Sequence, residues 1–119
     1  MNYTEHELSK ADEVIPRVTL ATFNNDQNHK VMVDVRQLEE LEALGTIKTA
    51  LHIPKGVIEF RLNTNEDINF DTSIYVFCAI GVRSALAGHN LKKIGYKNVF
   101  NLVGFQDILD QGAEIQPIS

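Results

Sequence analysis

The stretch Ser73-Ile74-Tyr75-Val76-Phe77-Cys78-Ala79-Ile80-Gly81-Val82-Arg83-Ser84 decides how this chain is read. Its first five residues are rich in β-branched and aromatic side chains, the composition of a strand, and the run ends directly on a cysteine. From Arg83 to Ile94 the residues Leu86, Ala87, Leu91 and Ile94 fall at helical spacing, and Gly95 closes that stripe like a C-cap. The stripe itself is core packing. A strand, a short loop and a helix in succession form one step of a parallel sheet, whose ligands bind at the carboxyl ends of its strands. Cys78 therefore stands where a nucleophile is productive.

Working outward, Val31-Met32-Val33-Asp34-Val35 is a nearly all-apolar run that suits a strand buried on both faces, with Asp34 as the exception inside it. Gln37 to Leu44 places Leu38, Leu41 and Leu44 at three-residue spacing between acidic residues, and Gly45 ends this helix. Ala50 to Ile53, ahead of Pro54, reads as a second short strand, Val57 to Leu62 as a short helix, and Val99 to Leu102 as a last short strand. Before them, Val18 to Phe23 reads as a short strand or turn, and Asn24 to Lys30 as a loop by composition. Thr4 with Glu7 reads as a capping box, opening a helix that runs to about Val14 before Pro16. The alternation predicts an α/β fold with a small central parallel sheet flanked by helices on both faces. Residues 1–17 are expected to be an N-terminal helical extension and 18–119 one domain.

The composition bounds what such a domain can do. At 119 residues the chain supports one core, and folding should bury roughly two-thirds of the surface of the unfolded chain. A formal charge of −5 with scattered basic residues argues against nucleic acid, which is bound through phosphate neutralisation, and against an anionic membrane surface. No apolar run approaches the roughly 20 residues that span a bilayer, and the first residues lack a signal-peptide profile, so a cytoplasmic location is expected. The single cysteine excludes an intramolecular disulfide and a multi-thiolate metal site. His6, His29, His52 and His89 are dispersed without ligand spacing, so no metal is expected.

Single-cysteine chemistry remains. Gly81 permits a tight loop, and if that loop curls around the sulfur, its amides and the positive helix end converge into an anion cradle. Such a cradle lowers a thiol pKa and stabilises thiolate or persulfide. Arg83 adds a planar cation for an oxyanion. The plain alternative for Cys78 is a small buried hydrophobe, which the attached Gly81 and Arg83 loop argues against. Asp34 reads as a buried carboxylate tied to backbone amides or to Arg36, and Arg36 as structural.

From about Val18 onward the chain resembles a rhodanese domain. Asp34-Val35-Arg36 resembles the family's Asp-Val-Arg signature; Gly45-Thr46-Ile47 through Ala50, Ile53 and Pro54 resembles its Gly-His-Ile, Ala and Ile-Pro segment; Val76 to Ser84 resembles the active-site loop; and Tyr96 to Gly104 resembles the closing Tyr, Asn-Val, Leu, Gly pattern. The resemblance implies a sulfurtransferase that moves a sulfane sulfur through a Cys78 persulfide, from thiosulfate or a persulfide to a thiophilic acceptor such as cyanide or a thiol. It needs no metal or organic cofactor. It implies that Ala79, Ile80, Gly81, Val82, Arg83 and Ser84 hold the transferred sulfur and its donor, and that Asp34 and Arg36 support the loop from below. Thr46, Phe105 and Leu109 depart from the family's His, second Gly and Trp; they lie outside the loop and bear on packing and substrate shape. Because Ala79, Ile80 and Val82 are apolar, a persulfidated protein or small thiol is the expected donor rather than thiosulfate.

Two other classes are set beside this one. A cysteine phosphatase or arsenate reductase also cradles an oxyanion below a thiolate, but its loop places five residues between Cys and Arg, whereas only Ala79, Ile80, Gly81 and Val82 intervene here. The smaller ring suits one sulfur atom better than a tetrahedral phosphate. A non-catalytic binding or regulatory module of the same fold is the other. Donor, acceptor, pathway and oligomeric state are not legible in the residues.

Overall fold

The computed structural model describes residues 2–118. Four strands, β1 (Lys30–Asp34), β3 (Leu51–His52), β4 (Ser73–Cys78) and β5 (Asn98–Gly104), form one sheet in the order β3-β1-β4-β5 with every pairing parallel. All four carboxyl ends thus open on the same side. A separate antiparallel pair, β2 (Thr46–Ile47) with β6 (Ile115–Gln116), was not expected from the sequence.

The strands alternate as a sheet buried on both faces must. In β4, Ile74, Val76 and Cys78 face one core, while Tyr75 and Phe77 face another, so the sheet divides the single core expected from chain length into two clusters. Ile15 at the end of α1 (Tyr3–Val14), Leu62 of α4 (Ile58–Asn63) and Leu91 of α5 (Val82–Ile94) cover the first core. Leu20 of α2 (Leu20–Asn25) and Ile108 of α6 (Phe105–Asp110) cover the second. The expected α/β sandwich with helices on both faces is the fold observed. A further helix, α3 (Leu38–Leu44), follows β1, with its one buried residue at Leu41. Among the described residues no helix is long and apolar enough to cross a membrane.

Two expectations are corrected. Val18 to Phe23 is neither strand nor turn: Arg17 makes an isolated parallel bridge to Asn101, and the chain then enters α2 at Leu20, whose N–H donates to Gln111 Oε1 at 2.7 Å. Tertiary contacts override the weak local preference of this segment. The opening helix begins at Tyr3, and its capping box is Asn2 with Glu5, two residues ahead of Thr4 and Glu7. Asn is as good an N-cap as Thr, and Glu5 supplies the reciprocal carboxylate, so the same logic holds at a shifted register.

Candidate active site

Cys78 is the last residue of β4, and Gly81 is the N-cap of α5 at φ +95°, the left-handed conformation that glycine adopts without strain. The turn between them folds back on the sulfur, and the Gly81 N–H donates to Cys78 Sγ at 3.1 Å. A Cβ on Gly81 would lie 2.7 Å from Val103 Cγ1, and one on Gly104 would lie 2.6 Å from the Ala79 carbonyl oxygen. The end of β5 is therefore packed against the loop so closely that both positions require glycine. This close approach follows from a bulge: Val76 pairs with Asn101 but Phe77 pairs with Val103, so Leu102 is the extra residue. Val103, at φ +76°, carries the strain of that turn.

Asn101 and Ser84 complete the surroundings of the sulfur. Ser84 Oγ lies 3.4 Å from Cys78 Sγ and donates to Asn101 Oδ1 at 2.8 Å. Asn101 Oδ1 also accepts from the Val103 N–H at 2.9 Å, while its Nδ2 donates to the Gly81 carbonyl at 3.1 Å. These partners fix the orientation of the amide. A hydroxyl has one proton. With Cys78 as a thiol, the S–H donates to Ser84 Oγ and the hydroxyl to Asn101. With Cys78 as a thiolate, the hydroxyl turns to the sulfur, and Asn101 Oδ1 keeps the Val103 N–H. No buried group is orphaned in either state. Burial pushes the Cys78 thiol up, but the Ser84 hydroxyl together with the amides of Ser84, Ile80 and Gly81 outweighs it, and the thiol is held below its ordinary value.

Ala79 and Ile80 are exposed at the tip of the loop, Val82 and Arg83 are half-buried, and Ser84 is buried. Arg83 stands in the first turn of α5, and its guanidinium is engaged: Nη1 and Nη2 donate to the two carboxylate oxygens of Glu40 in α3, at 2.5 and 2.9 Å. That hydrogen-bonded pairing holds the Glu40 carboxyl down at about 2, against the opposing effect of burial. Asp34 and Arg36 form a buried ion pair, 2.7 Å at its closest. Thr46 Oγ1 donates to Asp34 Oδ2 at 2.7 Å, and Arg36 Nη2 donates to the Gly45 carbonyl at 2.7 Å. The Phe105 ring lies 4.1 Å from the Arg36 guanidinium. Asp34 pairs with Phe77 rather than Cys78 and so points to the opposite side of the sheet from the sulfur.

The structure thus gathers Cys78, Gly81 and Ser84 around one point, sets Arg83 beside them in an ion pair, and places Asp34 and Arg36 on the other face. Glu40 and Asn101 were missed. Asn101, a poor strand former inside an otherwise apolar run, carried a signal that could have found it; Glu40, 43 residues from Arg83, carried none.

The profile of the rhodanese-like domain matches residues 19–107. The putative sulfur carrier protein YrkF of Bacillus subtilis (strain 168) is 36% identical over 108 residues, covering 87% of this chain and 55% of that protein. A putative mitochondrial thiosulfate sulfurtransferase of Schizosaccharomyces pombe is 33% identical over 84 residues, covering 62% of this chain and 58% of that protein. The chain therefore spans a little over half the length of either relative. Among solved structures, a Rhodopseudomonas palustris protein of unknown function, described as a possible tyrosine phosphatase, is 26% identical with a TM-score of 0.81, over 98% of this chain and 96% of that one. The family profile covers the sheet, the cysteine loop and the bulged β5 that packs against it, and the chain belongs to the rhodanese-like domain family.

Proposed function

We propose that this chain is a sulfurtransferase in which Cys78 carries a sulfane sulfur as a persulfide. The observation that carries the reading is the convergence of the Gly81 N–H and the Ser84 hydroxyl on Cys78 Sγ at the carboxyl end of β4. In the loading step the Cys78 thiolate attacks the sulfane sulfur of a donor. An S–S bond forms to Cys78 while the donor's bond to that sulfur breaks, its electron pair leaving with sulfite or a thiolate. In the discharging step a thiol or cyanide attacks the outer sulfur, and Cys78 departs as a thiolate. Both steps leave negative charge on sulfur, which the amide and hydroxyl donors stabilise. Both are displacements at sulfur and need no metal or organic cofactor. Cys78 has 0% exposure, so loading requires a movement that uncovers Sγ. The names of the Bacillus and Schizosaccharomyces relatives, a sulfur carrier and a thiosulfate sulfurtransferase, support the same class.

The test is intact mass after incubating reduced protein with thiosulfate or with cysteine hydropersulfide, in wild type and Cys78→Ala. The expected result is a gain of one sulfur that requires Cys78 and is discharged by cyanide or a thiol. No gain from either donor, with the protein folded and Cys78 reduced, would overturn the reading. Hydrolysis of a phosphate ester under the same conditions would replace it with the phosphatase one, and partner binding without sulfur gain would point to a binding module.

A further inference from the structure

Arg83 is the only cation between Cys78 and Ser84. Arg36 is buried and committed to Asp34. Lys55 lines a separate cleft with Tyr3, Leu86 and His89. The charge met by a donor at the Cys78 loop is thus set by Arg83 and by whatever neutralises it. Glu40 does so in the strongest geometry available, two parallel N–H···O bonds between planar groups. Their side chains are 33% and 31% exposed, so the pair belongs to the rim rather than to the core. Glu40 also accepts from the Gln37 N–H at 3.2 Å as the third residue of α3, which fixes it from its own helix.

Resting on the sulfurtransferase reading, we propose that Glu40 is a specificity-determining residue: by clamping Arg83 it removes the one free cation from the loop and selects donors that bring little negative charge. The two loading reactions differ in this respect. Thiolate plus thiosulfate gives the Cys78 persulfide anion plus sulfite, with three negative charges assembled at the loop on both sides of the arrow. Thiolate plus an alkyl hydropersulfide, R–S–SH, gives the same persulfide anion plus R–SH, the proton passing to the departing sulfur, with one negative charge throughout. With Arg83 neutralised, only the second is electrostatically undemanding. The donor class that follows is an organic hydropersulfide rather than an inorganic dianion.

Glu40→Gln is the informative variant, because glutamine keeps the capping bond to Gln37 while releasing the guanidinium from a full charge. Loading rates of wild type and Glu40→Gln are compared for thiosulfate and for cysteine hydropersulfide. In Glu40→Gln the ratio of kcat/KM for thiosulfate to that for the hydropersulfide is expected to rise about tenfold, and adding Arg83→Ala returns it to the wild-type ratio. A general loosening of structure would slow both donors alike. In parallel, thiosulfate binding is titrated by NMR in Cys78→Ala and in Cys78→Ala/Glu40→Gln, where no sulfur can be transferred. The second is expected to bind about tenfold more tightly. Unchanged ratio and unchanged binding, in folded proteins, would overturn the role of Glu40. Tighter binding without any loading of wild type would instead sink the sulfurtransferase reading and leave Glu40 as the residue that excludes anions.

Discussion

Around Cys78 each residue does a separable job, and the separation can be measured. Ser84 supplies a hydroxyl to the thiolate, so Ser84→Ala is expected to raise the thiol pKa. The pH profile of Cys78 alkylation then shifts to higher pH, and the rate at neutrality falls. An unshifted midpoint would mean that the amides alone hold the thiolate. The same lowered pKa has a consequence for stability. The folded thiol is more acidic than the unfolded one, so its contribution is present above the unfolded pKa and is lost as pH falls through the folded pKa. Urea titrations at stepped pH should show wild type gaining on Cys78→Ala as the pH rises through that interval. Gly81 is a geometric requirement: alanine there meets both the left-handed φ and Val103 Cγ1 at 2.7 Å. Gly81→Ala is expected to cost about 1–3 kcal/mol and to lose sulfur loading together with the Sγ bond. Full loading by a stably folded Gly81→Ala protein would refute this placement.

At the scale of elements, α5 is held between two neighbours that leave no room on one face. A Cβ on Gly88 would stand 3.2 Å from Val99 Cγ1 on β5 and 3.4 Å from Ile15 Cγ2 at the end of α1. Alanine at this helix position would gain up to about 1 kcal/mol of helix propensity, which the tight contacts offset. Valine adds two more carbons with nowhere to go, so Gly88→Val is expected to cost ~1–3 kcal/mol, read as a lowered Tm. A Tm at or above that of wild type would show that α1 moves freely off α5. The elements legible in the sequence were those whose pattern is local. The Ser73 to Phe77 run predicted β4, and Leu86, Ala87, Leu91 and Ile94 predicted α5 by their spacing, although of that stripe only Ala87 and Leu91 are core, Leu86 being half-buried and Ile94 exposed. What stayed hidden depends on distant partners. The pair β2 and β6 has two residues in each strand, too short for any period to register. In α2, Leu20 meets Gln111, 91 positions away. The same division runs through the candidate site: Cys78, Gly81 and Ser84 lie close together in the sequence, from the end of β4 to the first turn of α5, and were found together. Glu40 reaches that stretch from α3, and Asn101 from β5.

For the whole molecule, the question is how a sheet buried on both faces tolerates the buried charges of Asp34 and Arg36 at the carboxyl end of β1. Both have essentially no exposure, yet no described buried side-chain polar atom lacks a partner. The carboxylate takes the guanidinium and Thr46, and the guanidinium takes Gly45 and lies against Phe105. Thr46 and Phe105 are two of the positions that depart from the family pattern, and both close around this pair. The carboxyl end of β1, the start of β2 and the start of α6 are thereby joined at one buried point. Arg36→Ala would strand a charge there, costing about 3–5 kcal/mol. Set against a total stability of ~5–15 kcal/mol for a domain, that is enough to bring many such chains to the edge of unfolding. Replacing both charges at once, Asp34→Leu with Arg36→Met, removes the stranded charge and should recover much of the loss. Urea midpoints for Arg36→Ala, Arg36→Met and the double variant decide between a stranded charge and a cavity left by a large side chain. Recovery only when Asp34 is also replaced establishes the first; equal recovery in Arg36→Met alone establishes the second, with the guanidinium acting through packing against Phe105.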